Sequence, residues 1–236
     1  MDSNARELMA IIYFLASALP HIVGKTVTVH TDNMNAAIIG TSGSNKPRLN
    51  AYAVLIANIC IKNDINLHLV WIPRDINNIA DFLSKTIDYE DYSITDVFYN
   101  TICAEFQSTP LVDLFANNKN AKTSKFFSLT YCPGCLGVDA FNYDWRKNGL
   151  NWIFPAPRLI LRVLRHLQLT HAEALLLVPQ WKTSYFYPIL NSYSKTNVFK
   201  RKVTYGGKTV FLLGTDTKSY FGPNYNGNVE IWHLSF

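Results

Sequence analysis

The stretch NWIFPAPRLILRVLRHLQLTHAEALLLV, residues 151–178, decides the fold class of this chain. Residues 151–154 are short and apolar, as in a buried strand, and two prolines at 155 and 157 lead into a helical repeat. Residues 174–178 form a continuous apolar run, which predicts a strand buried on both faces. A strand, a helix and a strand in this order form a βαβ unit, so we expect an α/β fold with a right-handed crossover. The residues expected on the buried face of the helix are Ile160, Val163, Leu164 and Leu167.

The first third of the chain also alternates helices and strands. A helical repeat of apolar residues runs through residues 4–19 and is expected to stop at Pro20. Alternating polar and apolar residues then predict a strand with Asp32 at its end. Residues 49–62 are apolar on nearly all sides, which predicts a well-buried helix. The remaining predicted elements here are a strand at residues 65–72 and a short helix at residues 77–85.

Composition limits the class of protein. A chain of 236 residues that is 48% hydrophobic and 14% aromatic can bury a core, which excludes wholesale disorder. Its 22 Lys+Arg exceed its 17 Asp+Glu by five, which permits a polyanionic partner without requiring one. Four cysteines exclude a disulfide-dense scaffold. The apolar run at residues 9–19 imitates a signal peptide, but the acidic residues before it are of the wrong charge. We therefore expect an intracellular protein of the nucleus or cytoplasm with no membrane partner.

Changes in residue pattern divide the chain into four segments. Residues 1–87 hold the first group of elements, and residues 88–109 are acidic and aromatic without periodicity, which predicts a linker or bridging segment. Residues 110–199 hold the second α/β block. Residues 200–236 are expected to form a tail that contains a hairpin, because glycines at 206 and 207 separate two β-type runs.

Three carboxylates lie at the ends of predicted elements: Glu7, Asp32 and Asp81. Carboxylates from separate elements can hold Mg²⁺, and two such ions about 4 Å apart can activate water against a phosphodiester. A structural interpretation is also open. Glu7 follows Asn4 by three residues and Asp81 follows Asn78 by three, the spacing of a helix capping box.

Three groups of residues around these carboxylates share an order and spacing that point to one family. They are Asn4-Ala5-Arg6-Glu7-Leu8, Val29-His30-Thr31-Asp32-Asn33, and Trp71-Ile72-Pro73-Arg74 followed by Asn78-Ile79-Ala80-Asp81-Phe82-Leu83-Ser84. Together they resemble the RNase H domain of retroelement reverse transcriptases over residues 1 to about 85. The resemblance implies Mg²⁺-dependent cleavage of RNA in RNA–DNA hybrids. It makes Glu7, Asp32 and Asp81 three of the four catalytic, metal-binding carboxylates.

In that family the fourth carboxylate lies on a strand before the first helix, whereas this sequence begins at that helix. We therefore expect an N-terminally truncated RNase H-like half with an incomplete metal set, weak Mg²⁺ affinity and no cleavage by this chain alone. Candidate nucleic-acid-binding residues in this half are Asn33, Lys46, Arg48 and Arg74.

The second block carries its own set of motifs. They are Val112-Asp113-Leu114-Phe115-Ala116, Asn120-Ala121-Lys122, Phe126-Phe127, Asp139-Ala140-Phe141, Asp144-Trp145, Phe154-Pro155-Ala156-Pro157 and Leu176-Leu177-Val178-Pro179-Gln180-Trp181. These resemble the region after RNase H in DIRS-type (tyrosine-recombinase) retrotransposon polyproteins. That region is similar to phage-type DNA N6-adenine methyltransferases. The resemblance covers residues 110 to about 190 and implies a small Rossmann-like block.

Methyltransferases of that type hold the target adenine with an (Asp/Asn)-Pro-Pro-(Tyr/Phe) loop, and the residues that match it here are Phe154, Pro155, Ala156 and Pro157. Phe154 cannot accept a hydrogen bond from the adenine amine, and Pro157 has no aromatic ring to stack on the base. We therefore expect a degenerate loop and no binding of S-adenosylmethionine.

Two further features have two interpretations each. Arg158, Arg162 and Arg165 recur along the predicted helix and form either a nucleic-acid-binding stripe or a solvated face. Cys132 and Cys135 form one CxxC pair in a Pro-Gly loop, which is too few ligands for zinc, and turn residues without a role are the simpler interpretation.

The sequence thus predicts a retroelement-derived RNase H-like fragment whose ancestral activity is cleavage of RNA–DNA hybrids. The alternative is a non-catalytic module that binds nucleic acid or protein. Expected partners are an RNA–DNA hybrid or DNA, and the upstream reverse-transcriptase part of the polyprotein.

Overall fold

The computed structural model describes residues 2–80, 92–208, 210–212, 221–222 and 225–236. The chain divides into two compact units, residues 1–86 and residues 87–236. Each unit has its own hydrophobic core, and the two are described separately below.

The first unit packs three helices on one face of a small parallel sheet. Its two strands pair in register from Thr26 opposite Asn66 to Thr31 opposite Trp71. The bounds of its elements are α1 Ser3–Ile22, β1 Thr26–Thr31, α2 Met34–Ser42, α3 Pro47–Lys62 and β2 Asn66–Trp71.

Helix α1 departs from the predicted start and end. Its N-cap is Asp2, whose Oδ1 accepts a hydrogen bond from the Ala5 backbone N at 2.7 Å, so Asn4 and Glu7 form no capping box. The helix continues past Pro20 to Ile22. Pro20 has no N–H to donate to the carbonyl four residues earlier, so it removes one helical hydrogen bond, and only two further helical residues follow it.

The apolar face of α1 contributes to the core of the first unit. Helix α1 is long and apolar enough to span a membrane, but helices that pack into a protein core can have the same length and composition. It is the single such helix within the described ranges. Its buried residues are Ala5, Leu8, Ile11, Ile12 and Leu15.

Helix α3 is amphipathic, and the prediction that it is buried on nearly all sides is wrong. Only Leu49, Ala53 and Ile56 are buried, and these lie at helical spacing on one face. The exposed fractions of Val54 and Ile61 are 50% and 80%. Apolar composition alone therefore overestimated how much of this helix the small unit can cover.

The second unit is built on a seven-stranded, mostly parallel sheet in the order β5-β4-β3-β6-β7-β9-β8. An α/β fold is thereby confirmed. Helices α4 and α5 contribute to cores on opposite faces of the sheet. The bounds of the elements are α4 Asp96–Phe106, β3 Val112–Asp113, β4 Lys125–Ser128, β5 Gly137–Val138, β6 Leu150–Ile153, α5 Ile160–Thr170, β7 Glu173–Pro179, α6 Tyr187–Tyr193, β8 Phe199–Gly206 and β9 Asn228–Ser235.

The predicted βαβ unit is confirmed as β6, α5 and β7. Strands β6 and β7 are parallel neighbours, from Leu150 opposite Glu173 to Ile153 opposite Leu176. Alternate residues of β7 supply the two cores: Leu176 and Val178 pack on the side of α5, and Leu175 and Leu177 on the side of α4. Burial on both faces explains why this strand is uniformly apolar.

The segments outside residues 110–199 also belong to the second unit. Residues 88–109, predicted to be a linker or bridging segment, contain α4, whose buried residues join a core cluster of the sheet. The tail at residues 200–236 contributes β8 and β9 to the same sheet. Its predicted hairpin is wrong in one respect. Strand β8 pairs with β9 rather than with the residues just after Gly207, because β9 inserts antiparallel beside β7.

Candidate functional site

The described carboxylates of the first candidate site lie where β1 meets the start of α1. Asp32 directly follows β1, and the next residue, Asn33, donates from Nδ2 to Asn4 Oδ1 on α1 at 3.0 Å. Glu7 lies one turn further along α1. The loop after β1 is therefore tied to the first turn of α1, which brings Asp32 toward Glu7.

Electrostatics are consistent with this proximity. The pKa of Glu7 is raised, first by burial and second by the negative charge of Asp32, while Arg6 and Arg74 act in the opposite direction. Asp32 itself forms an ion pair with Arg74, with Nε and Oδ2 3.2 Å apart. Two carboxylates and one guanidinium thus share this end of the small sheet.

The third predicted carboxylate, Asp81, lies outside the described residues, so the predicted set of three is not tested. Within residues 2–80 and the other described ranges, no group of three His, Cys, Asp or Glu side chains is close enough to hold a metal ion. The structure therefore brings together two of the predicted ligands, Glu7 and Asp32.

The predicted nucleic-acid-binding residues of the first unit have different surroundings. Asn33 is the N-cap of α2, with its Oδ1 accepting from the Ala36 backbone N at 3.0 Å. Lys46 and Arg48 are exposed at the start of α3. Arg74 is committed in part to Asp32. Lys46 and Arg48 therefore remain candidate phosphate contacts, while Asn33 has a structural role.

In the second unit, the chain order of the parallel strands reverses between β3 and β6. In open α/β sheets the crevice beyond the carboxyl ends of such strands is the usual ligand position. Here Asp113 ends β3 and Phe154 follows β6, and both line a cavity of about 10 Å³, which has room for roughly one water. Ligand pockets are typically ~300 Å³ or more, so aromatic side chains occupy most of this crevice.

Phe154 is the principal residue filling the crevice. It is buried, with its ring centroid 5.1 Å from that of Tyr92 and 5.8 Å from that of Phe211. Pro155 is also buried, and Pro157 begins a 3-10 turn that leads into α5. The segment at residues 154–157 thus packs as core and helix entry.

Asp113 is the buried carboxylate of this crevice. Its two oxygens accept backbone hydrogen bonds from Phe115 at 3.2 Å and from Lys122 at 3.0 Å. Burial is the main cause that raises the pKa of Asp113 to about 6, and the two hydrogen bonds and the Lys122 charge act in the opposite direction. The Lys122 ammonium pairs with Asp96 Oδ1 at 2.7 Å.

The loop between β3 and β4 satisfies its own backbone. The Asn117 backbone N donates to Asn120 Oδ1 at 2.7 Å, and the Lys119 backbone N donates to Asn117 Oδ1 at 2.8 Å. Loops that cradle a cofactor instead aim backbone N–H groups at the ligand. In this loop, asparagine side-chain oxygens accept hydrogen bonds from two of the backbone N–H groups that a cofactor-binding loop would direct at its ligand.

The predicted arginine stripe is divided between two elements. Arg158 lies in the 3-10 turn at Pro157–Leu159, and only Arg162 and Arg165 lie on α5. The Arg162 guanidinium lies 3.8 Å from the centroid of the Phe141 ring, and its Nη2 is 3.9 Å from Asp139 Oδ2. Arg165 is exposed.

Sequence reasoning missed a buried polar cluster around Glu230, which is fully buried in β9. Its Oε1 accepts from Gln180 Nε2 and from the Tyr187 hydroxyl, both at 2.8 Å, and its Oε2 from Trp232 Nε1 at 2.9 Å. Lys202 Nζ lies 3.4 Å away. A signal existed in the sequence: Glu230, like Asp113, is one acidic residue within an apolar run.

Comparison with known proteins identifies no family. No protein-family model matches the chain, and no curated protein sequence matches it.

Proposed function

We propose that the first unit is an RNase H-like module that binds an RNA–DNA hybrid or DNA at the surface around Glu7 and Asp32. It would be part of a retroelement reverse-transcriptase polyprotein. The observation that carries the proposal is the Asn4–Asn33 hydrogen bond, which ties the loop holding Asp32 to the first turn of the helix holding Glu7, and the charge of Asp32 contributes to the raised pKa of Glu7. The resemblance of the sequence motifs around Glu7 and Asp32 to those of RNase H domains is the reason for naming this class of module.

The donor chemistry of this pair suits one Mg²⁺ ion. Magnesium is usually held by one or two carboxylates together with waters and substrate phosphate oxygens. Glu7 and Asp32 would hold the ion, which would neutralise phosphate charge and acidify a bound water. Because the pKa of Glu7 is raised, its proton must leave before it can bind a metal, so affinity should weaken in mild acid.

The test is a hybrid-binding and cleavage assay on the purified chain with Mg²⁺. We expect binding that weakens in the double variant Lys46→Ala/Arg48→Ala, and no cleavage, because a two-ion site needs more oxygen ligands than Glu7, Asp32 and Asp81. Asp64→Asn, at an exposed position of the same unit, serves as the control. Cleavage that Asp32→Asn abolishes would disprove the inactive state, and a chain that binds no hybrid would disprove the proposal.

The second candidate is a non-catalytic binding module that holds no metal ion at Glu7 and Asp32, and the Arg74–Asp32 ion pair favours it. The guanidinium occupies a carboxylate oxygen that a metal would need. Arg74→Ala distinguishes the two functions. It should raise Mg²⁺ affinity if the pair is a metal site, and should weaken hybrid binding without any effect of Mg²⁺ if Arg74 contacts phosphate.

For the second unit we propose a degenerate methyltransferase-like scaffold that does not use S-adenosylmethionine. The burial of Phe154, the small cavity and the self-satisfied loop after β3 support this proposal. The reversal of strand order between β3 and β6 supports the comparison with a Rossmann-like block. Titration calorimetry with S-adenosylmethionine tests it, and micromolar affinity would contradict it.

A further inference from the structure

The CxxC pair lies at the two ends of a tight turn between β4 and β5. The Cys135 backbone N donates to the Cys132 backbone O at 3.2 Å, which closes a four-residue turn. Gly134, at the third position, has φ +87°, as a type II turn requires. Pro133, at the second position, has the φ restriction that favours the same turn.

The geometry of a hydrogen-bonded β-turn limits the separation of the two cysteines to about the range of a disulfide. The Cα atoms at the ends of a β-turn are less than about 7 Å apart, and the Cα atoms of disulfide-bonded cysteines are usually about 4.4–6.8 Å apart. Both residues are free thiols and are only partly buried, so a small thiol or disulfide can reach them. Access for the oxidant and a spacing that lets the second sulfur attack the first both favour thiol–disulfide exchange at this pair.

The turn also has a defined structural position. Leu136 N, the next backbone donor, bonds to Phe126 O at 2.8 Å, and the short edge strand β5 pairs with β4 from Gly137 onward. Just after β5, Asp139 N bonds to Ser128 O at 2.8 Å. A covalent link across the turn would therefore restrain the β4–β5 connection.

We propose that Cys132 and Cys135 form a redox-sensitive dithiol that closes to an intramolecular disulfide. The oxidant is a low-molecular-weight disulfide such as glutathione disulfide. One cysteine thiolate attacks it, forming a mixed disulfide and releasing one glutathione thiolate. The second cysteine thiolate then attacks the protein sulfur, forms the Cys132–Cys135 bond and releases the second glutathione. The two cysteines lose two protons and two electrons, and the oxidant is reduced to two thiols.

A zinc site on this pair is less consistent with the structure. Structural zinc takes four ligands, and the described ranges contain no cluster of three His, Cys, Asp or Glu side chains. Two thiols alone favour disulfide chemistry.

The experiment uses the full chain with Cys60→Ser and Cys103→Ser, which leaves only the CxxC pair. After equilibration with glutathione redox buffers, we expect free thiols per chain to fall from two to none, with a mass loss of two hydrogen atoms and no retained glutathione. Adding Cys132→Ser to this variant should instead leave a stable glutathione adduct on Cys135. Adducts on both cysteines of the parent variant, or thiols that persist in excess glutathione disulfide, would disprove the proposal.

A second measurement reports the restraint of the turn. Amide hydrogen exchange at Leu136 and Asp139 should slow by about tenfold in the disulfide form, because the link restricts local opening of the connection. Leu175, within the interior strand β7, serves as the internal reference. Equal exchange rates in the two redox states would show that the disulfide forms without acting on the fold.

Discussion

At the scale of single residues, the two units place carboxylates in different surroundings. Glu7 and Asp32 lie near each other and near Arg74 at the end of a small sheet, where solvent and cations can reach them. Asp113 is enclosed, and backbone donors take both of its oxygens. The first pair is therefore accompanied by an exposed arginine side chain, whereas Asp113 is hydrogen-bonded within the fold itself.

Asp113 should make stability depend on pH. Its pKa of about 6 in the folded state exceeds the ordinary value of 3.8 for an aspartate, so between these values the folded state binds more protons than the unfolded state. The free energy of unfolding therefore falls as pH rises from about 4 to 6, by on the order of 3 kcal/mol for this residue. Because Asn does not titrate, the free energy of unfolding of wild type should fall relative to that of Asp113→Asn as pH rises from about 4 to 6 in denaturant titrations, and a difference that is constant over this range would contradict the prediction.

Asn33 should stabilise the first unit through two hydrogen bonds. Asn33→Ala removes the cap of α2 and the link to Asn4, which we expect to lower the free energy of unfolding by about 1–2 kcal/mol. Asn35→Ala, two residues later at an exposed position, is the matched control and should change it by less than ~0.5 kcal/mol. Equal losses in denaturant unfolding would show that Asn33 has no special role.

At the scale of elements, the two arginines on the outer face of α5 differ in their contacts: Arg162 contacts Asp139 and Phe141, and Arg165 is exposed. If the chain binds DNA through α5, Arg165→Ala should reduce the slope of log affinity against log salt by about 0.9, the value for one phosphate contact. Arg162→Ala should reduce it less, because Asp139 and Phe141 already engage that side chain. Fluorescence anisotropy across salt concentrations measures the slope, with Gln168→Ala as control. Unchanged slopes would exclude this face.

Strand β9 depends on the buried cluster around Glu230. Glu230→Ala leaves Gln180, Tyr187 and Trp232 without their acceptor, and we expect the second unit to lose about 3–5 kcal/mol of stability. Glu173→Ala is the control, because Glu173 is a partly exposed carboxylate paired with His233, and should cost less than ~1 kcal/mol. Comparable losses in thermal or denaturant unfolding would contradict the assigned importance of the cluster.

At the scale of the whole molecule, the described core residues form one cluster in the first unit and two in the second, and no buried residue belongs to more than one of them. Leu8→Ala and Leu176→Ala each create a cavity and should cost about 2–5 kcal/mol in their own unit. Hydrogen exchange should show the largest loss of protection in the unit that carries the substitution. Leu169→Ala, whose parent side chain is 66% exposed, is the control. Equal effects in both units would mean that they unfold together.

Local sequence patterns determined the elements that depend on neighbouring residues. The apolar run at residues 174–178 predicts β7, and the helical spacing of Ile160, Val163, Leu164 and Leu167 predicts the buried face of α5. Both are confirmed, because apolar periodicity is a property of one segment and here it matches the faces that the fold buries. Among the candidate site residues, the alternation of polar and apolar side chains predicted that Asp32 lies at the end of a strand, and Asp32 directly follows β1.

Tertiary structure alone decided which distant segments meet. The insertion of β9 between β7 and β8, the approach of Glu7 to Asp32, and the burial of Asp113 and Glu230 all join residues far apart in the chain. A strand pairs with whichever edge the complete fold presents, and an acidic residue is tolerated in a core only where donors from other elements satisfy it. Neither condition is encoded within a single segment, so the sequence determined the elements and the fold determined the sites.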